Sequence, residues 1–417
     1  MRHTGGAVTG LDRRLGLTDA VVIGLGAMIG AGIFAALGPA AAAAGPGLPI
    51  ALAVAAVVAY CNATSSARLA ARYPDSGGTY VYGRQRLGAF WGYLAGWGFV
   101  VGKTASCAAM ALTVGSYVWP EHAHAVAVVA VLALTAVNYV GVQKAAWLTR
   151  AIVVFVLGVL AVVVVVGLSA PAADSSARWA AWSATGVLQG AGLLFFAFAG
   201  YARIATLGEE VRDPARVIPR AVTVALAFTL FVYAAVTLAL LAVLGPALAG
   251  AVAPLVDAVR VAGHPALVPL VRTGAAVAAL GSLLALLLGV SRTTLAMARD
   301  RHFPHRLAAV HPRFGVPHRA EVVIGLIVAV AAGTVDLRDA IGFSSFGVLA
   351  YYAVANAAAW TLSPAEGRPP RAVPVIGLAG CVILAFALPL SAVVTGVVVL
   401  AAGAAWYAAR RALSREP

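Results

Sequence analysis

The 417-residue chain is 62% hydrophobic and only 11% charged, with a mean hydropathy of +0.94; this excludes a soluble globular domain and makes it a multi-spanning membrane protein. Its formal net charge of +14 would suggest nucleic acid as the partner of a soluble chain, but the basic residues fall between long apolar stretches, where they set membrane orientation. Cys61, Cys107 and Cys381 are odd in number and lie in apolar context, which argues against a disulfide framework or a metal cluster.

At about 20 apolar residues per span, twelve spans fall near 17–42, 48–70, 89–118, 122–141, 147–169, 186–207, 217–244, 268–297, 320–334, 338–361, 372–389 and 391–409. The first follows Arg13 and Arg14 with no credible cleavage site, so it is expected to stay as a spanning helix. Twelve spans put both termini on one side. Of the 29 Lys and Arg residues, Arg178, Arg260, Arg272 and Arg338 lie in one set of loops and Lys103, Arg203 and Arg292 within spans; the rest lie in the termini and the opposite loops. The positive-inside tendency makes that richer side cytoplasmic, with the protein expected in the plasma (inner) membrane. The connections around Pro171–Ser183 and Gly245–Pro269 are long enough to hold short capping helices.

Gly26-Ala27-Met28-Ile29-Gly30-Ala31-Gly32-Ile33-Phe34 interrupts the first span where a membrane helix should be most regular. Such a cluster lets the helix break and turn bare amides toward a cavity, although a small-xxx-small pair such as Gly26 and Gly30 more often means close helix packing. The interruption recurs five spans later at Phe195-Phe196-Ala197-Phe198-Ala199-Gly200-Tyr201-Ala202-Arg203. Two interruptions at corresponding places suggest two five-helix halves of opposite orientation with a substrate site between the breaks.

On these residues the chain resembles the amino acid permeases of the amino acid, polyamine and organocation superfamily, in particular their bacterial cationic-transporter-like branch. The resemblance also runs through Tyr73-Pro74-Asp75-Ser76-Gly77-Gly78-Thr79-Tyr80-Val81-Tyr82, Leu207-Gly208-Glu209-Glu210-Val211-Arg212-Asp213-Pro214 and Ser291-Arg292-Thr293-Thr294-Leu295-Ala296-Met297-Ala298-Arg299-Asp300. It implies an all-α integral membrane fold: a cytoplasmic terminus 1–16, inverted five-helix repeats at 17–170 and 171–361, and two extra helices with the C-terminus at 362–417. It also implies secondary active transport of an amino acid or an amine by alternating access, as symport or exchange, in a bilayer of lipid and without a cofactor.

Physically, the first break suits anion capture, with amides of Gly30, Ala31 and Gly32 donating to a carboxylate at the positive end of a half-helix; Ile29 flanks them. The resemblance places the substrate carboxylate there. It has carbonyls near Phe198, Ala199 and Gly200 accept from the substrate ammonium, while Phe195, Phe196 or Tyr201 closes over the side chain. Ser106, Cys107, Ser344 and Ser345 could line the cavity, although polar residues of this kind commonly bond their own helix backbone.

An ionised side chain near the bilayer centre costs at least about 2.5 to 3.5 kcal/mol and persists mainly for function. Lys103 and Arg203 meet that description; Arg203 could alternatively snorkel or pair with Glu209 or Glu210. No Asp or Glu falls mid-span, Glu321 included, which argues against a hydrolase or a carboxylate relay. Relatives that carry cations often place an acid in the third or sixth helix; here those places read Gly102-Lys103 and Ala202-Arg203. A neutral or anionic amino acid is therefore expected over a cationic one or a polyamine. Many proton-linked relatives carry a lysine midway along the fifth helix, and Ile152-Val153-Val154-Phe155-Val156-Leu157-Gly158 has none. An amine held away from water exchanges its proton more easily, so Lys103 is the candidate for proton coupling. Sodium coupling and obligate exchange stay open, as does oligomeric state.

A channel would need a carbonyl-ring or acid-ring filter, which the sequence lacks; a channel-like facilitator is the remoter alternative. The eight histidines read as loop or terminal residues, and Pro74–Tyr82 as a turn-rich elbow whose region, with Glu209, Glu210 and Asp213, would form ion pairs with arginine-rich loops.

Overall fold

The computed structural model describes residues 15–73, 77–141, 146–171, 182–205 and 211–413. Regular structure there is helical, with one isolated parallel bridge between Leu15 and Val211. The first half runs α1 (Leu17–Met28), α2 (Ala31–Ala35), α3 (Leu37–Ala44), α4 (Leu48–Arg72), α5 (Thr79–Leu87), α6 (Ala89–Val118), α7 (Ala123–Tyr139) and α8 (Ala146–Ser169). The second runs α9 (Ala184–Phe198), α10 (Ala202–Ala205), α11 (Pro214–Leu244), α12 (Pro254–Val261), α13 (Val268–Arg299), α14 (His318–Thr334), α15 (Leu337–Trp360), α16 (Ala372–Ala387) and α17 (Leu390–Leu413).

Among the described residues, ten helical segments are long and apolar enough to cross a membrane, against the twelve expected. The two that fall short are α14, with 17 residues, and α16, with 16. At 1.5 Å per residue each is about 25 Å long, below the roughly 30 Å hydrocarbon thickness, and α14 begins with the polar run His318, Arg319 and Glu321. The expected boundaries of the third span, 89–118, coincide with α6, because Gly88 takes a left-handed φ of 100° just before it and the Trp119-Pro120 pair follows it.

α6 and α15 are the most enclosed long helices, while α7 and α17 are the least. At their crossing the backbones meet: a Cβ on Gly102 would lie 3.1 Å from the Gly347 Cα, and one on Gly347 would lie 2.9 Å from the Gly102 Cα. Outward-facing Val129, Val154, Phe231 and Leu390 leave an apolar exterior, the arrangement a lipid solvent favours. The long connection at 245–269 does hold a short helix, α12; most of the 171–183 connection lies outside the described residues.

The expected elbow after the second span is only partly a turn. Pro74, Asp75 and Ser76 lie outside the described residues, and from Thr79 the chain forms α5, which Gly78 opens with a φ of 57°. Tyr80 donates to Asp300 at the end of α13, to which Arg84 also bonds at 2.7 Å, and the Thr79 N–H donates to the Tyr351 hydroxyl at 2.9 Å. Arg86 and Arg72 both meet Glu366 in the turn between α15 and α16, Arg72 at 3.4 Å.

The Ser363 N–H and then Arg86 hold the Glu366 carboxyl down at about 2, below its ordinary 4.5. A carboxylate depressed by folding stabilises the fold above its unfolded value and loses that contribution as pH falls toward the folded one. Glu366→Gln is therefore expected to melt earlier than the parent protein at neutral pH, with the gap closing below about pH 4. Melting curves in detergent across pH at low and high salt would check this, with the gap narrower at high salt because the pair is partly exposed.

Candidate functional site

The first span is interrupted. α1 ends at Met28, Ile29 takes φ −81° and ψ 63°, Gly30 takes φ −119° and ψ −143°, and α2 starts at Ala31. The Ala36 N–H to Gly32 O bond of 2.9 Å and the Ala40 N–H to Ala36 O bond of 3.0 Å carry the helix on from α2 into α3. Gly30 offers no side chain to cap this second half-helix, and the first amides of any helix lack intrahelical acceptors. The Gly30 N–H itself donates to Met28 O at 2.9 Å, and the amides that open the second half-helix are those of Ala31 and Gly32.

The sixth span changes character at the same level. α9 ends at Phe198, a tight 3-10 turn covers Ala199–Tyr201, and α10 is a four-residue remnant. Glycine brings the two interruptions into contact, since a Cβ on Gly32 would lie 2.5 Å from the Ala197 Cα and one on Gly200 would overlap Ala27 O. A Cβ on Gly30 would overlap the Ser282 hydroxyl of α13, which is buried and has no partner. Both readings of the glycines hold physically, because the residues that interrupt the helices are also those that let them touch.

Tyr233 of α11, which sequence reasoning missed, joins the two breaks. Its hydroxyl lies 2.6 Å from Met28 O and 3.0 Å from Ala197 O, and its ring packs 5.1 Å from Phe198. Tyr117 of α6 likewise donates to Phe34 O at 2.9 Å, near the end of α2. A buried tyrosine hydroxyl is usually hydrogen-bonded, but a tyrosine in an apolar run carries no sign of which groups it meets.

Lys103 is buried, 6% exposed, and its ammonium reaches Ala199 O in the sixth-span turn at 3.5 Å. Cys107 lies one helical turn along and is fully buried. Ser106 bonds both Gly102 O, at 3.2 Å, and the Ser344 hydroxyl of α15, so it serves its own backbone and a neighbouring helix together. The buried Ser345 hydroxyl has no partner. Phe195 and Phe196 are buried, Phe195 edge-on to Tyr352 at 5.9 Å. Tyr201 is fully buried with its ring 5.0 Å from that of Tyr352. Arg203 is exposed on α10 and not among these residues; Glu209 and Glu210 lie outside the described residues.

Beside Tyr352 is a buried polar network, also unforeseen. Ser65 donates to Asn356 Oδ1 at 2.7 Å, Asn356 Nδ2 donates to Asn62 Oδ1 at 2.6 Å, and the Cys381 thiol reaches the same oxygen at 3.3 Å, linking α4, α15 and α16. Glu321 sits in the first turn of α14, at a span end as expected, and is nonetheless enclosed, at 3% exposed. Among the described residues no group of three His, Cys, Asp or Glu could hold a metal ion.

Residues 19–367 match the amino acid permease family. The chain is similar to an uncharacterized transporter of Mycobacterium tuberculosis, at 71% identity over 97% of this chain and 93% of that protein. It is also similar to two Bacillus subtilis proteins. One is a methylthioribose transporter, 28% identical over 91% of this chain and 89% of that protein. The other is a branched-chain amino acid permease, 27% identical over 88% of this chain and 86% of that protein.

Proposed function

The chain belongs to the amino acid permease family, and from that premise we propose that it is a secondary active transporter moving a neutral or anionic amino acid across the plasma membrane by alternating access. Twelve spans serve this cycle, α14 and α16 included, as inverted repeats at 17–170 and 171–361 followed by 362–417, with both termini cytoplasmic. The observation that carries the proposal is the meeting of the two helix interruptions, Gly32 against Ala197 and Gly200 against Ala27. Peptide groups there can hold a zwitterion once the contact opens: the amides of Ala31 and Gly32 take the carboxylate, the carbonyls of Phe198, Ala199 and Gly200 take the ammonium, and Phe195, Phe196 or Tyr201 covers the side chain.

Lys103 supports the neutral or anionic class. Its ammonium already lies against Ala199 O, so a cationic side chain brought to this turn would meet a like charge in a poorly solvated site. The neutral substrate named for the branched-chain permease is in keeping with this choice. Uptake of labelled alanine, serine, glutamate and arginine into proteoliposomes tests it: saturable uptake with counterflow of one of the first three is expected, and arginine uptake alone would refute it.

The coupling ion in this reading is a proton, exchanged at Lys103. Lys103→Met is expected to remove the dependence of uptake on an imposed pH gradient while leaving counterflow in place. A variant that still accumulates substrate to the parent level on the gradient would assign the coupling elsewhere.

A further inference from the structure

Glu321 is the one described carboxylate enclosed within the helix bundle, and the transport reading above gives it no task. It is 3% exposed, both of its carboxyl oxygens are buried, and neither has a hydrogen-bond partner. An ionised carboxylate left in that condition would cost several kcal/mol, whereas a carboxylic acid needs one acceptor for one proton.

The surroundings offer such an acceptor and little else. Ser291 of α13 faces Glu321, but its hydroxyl proton is given to Leu287 O at 2.8 Å, so toward Glu321 it presents lone pairs. Among the described residues Arg292, exposed on α13, is the cation whose field reaches the site, and no salt bridge joins the two. On the same turn of α14, His318 meets the rings of Tyr139 of α7 and of His311, and its buried Nδ1 has no partner. Arg319 bonds Arg306 O in the turn at 305–308. On α6, which also packs against α14, Lys103 reaches Ala199 O, Tyr117 reaches Phe34 O and Tyr93 packs beside His302; the remaining titratable group of that helix is the buried thiol Cys107.

We propose that Glu321 is a proton-binding site at the α13–α14 interface, holding a proton donated toward the Ser291 oxygen and exchanging it with water at the arginine-rich end of the molecule during the transport cycle. In loading, hydronium gives its proton to the carboxylate and leaves as water; unloading reverses this. Glu321 lies in the first turn of α14, about 5 Å along the helix from its start, so the path from that face is short. The site is distinct from Lys103, and its occupancy does not depend on the substrate reading.

Infrared difference spectra of the purified full chain in lipid nanodiscs, recorded against pH in H2O and D2O, test the occupancy directly. A protonated-carboxyl carbonyl band at neutral pH, shifted in D2O, is expected in the parent protein, displaced in frequency in Glu321→Asp and missing in Glu321→Gln. Absence of that band in the parent, or its persistence unchanged in both variants, would overturn the proposal. A transport arm uses labelled alanine, serine and glutamate: Glu321→Gln should lose most of the pH-gradient-driven uptake, at least about five-fold, and keep counterflow. A band that behaves as expected beside full gradient-driven uptake in Glu321→Gln would overturn the part in the cycle. Lack of counterflow by the parent protein would count against the transporter reading and leave the infrared result standing.

Discussion

Gly32→Val is expected to abolish substrate binding and to lower the melting temperature of the protein by several degrees. The new Cβ would lie 2.5 Å from the Ala197 Cα and 2.7 Å from its Cβ. A backbone atom cannot rotate away as a side-chain tip can, so the first-span break and α9 must separate. Overpacking of this kind costs about 1–3 kcal/mol in stability. The functional cost should be larger, because both edges proposed to hold the substrate shift together: a loss of more than about ten-fold in apparent affinity, or 1.4 kcal/mol. Thermal stabilisation by each of the twenty amino acids in detergent measures both quantities at once. Gly158→Val on α8, where nothing lies within 4 Å of a new Cβ, is the control and should behave as the parent. A Gly32→Val protein still stabilised by the same amino acid would mean that the contact is not part of the site.

Tyr233→Phe should weaken the site by subtraction of a single oxygen. The ring keeps its place against Phe198, while the hydroxyl bridge to Met28 O and Ala197 O is lost. Met28 O retains the Gly30 N–H, so the stability loss should be near 1 kcal/mol, within the range for removing a buried hydrogen bond and comparable to interhelical bonds in membranes. The change in transport should exceed it, about ten-fold or more in counterflow rate at low substrate, because the two interruptions lose their common anchor. Equal losses in Tyr233→Phe and in a lipid-facing change such as Phe231→Leu would argue against a specific bridge.

These two residues illustrate what the sequence could convey. Gly32 was legible because glycines in the middle of an apolar span violate the expected pattern wherever they pack. Tyr233 was not, because one tyrosine in the apolar run 214–244 says nothing about which carbonyls lie opposite. The same limit hid the Asn62, Ser65 and Asn356 network, whose members are about 290 residues apart and meet only across α4 and α15. Boundaries marked by backbone chemistry, such as Gly88 and Pro120 around α6, could be read directly. Glu321 reads as a span-end residue and is one; its enclosure is decided laterally by the helices packed against α14, which position along the chain does not convey. Residues 74–82 read as a turn-rich elbow because Pro74 to Gly78 dominates that stretch, although Thr79 to Leu87, which forms α5, contains no breaker apart from Gly83.

The crossing of α6 and α15 at Gly102 and Gly347 bears on mechanics. Two backbones touching without intervening side chains have no lubricating layer over which to slide, and the Ser106 to Ser344 bond is a dowel one turn further along α6. The pair therefore behaves as a stiff plank within the bundle. In the alternating-access cycle proposed above, the moving parts would pivot around it at the pieces already cut short: α2, the Ala199–Tyr201 turn and α10.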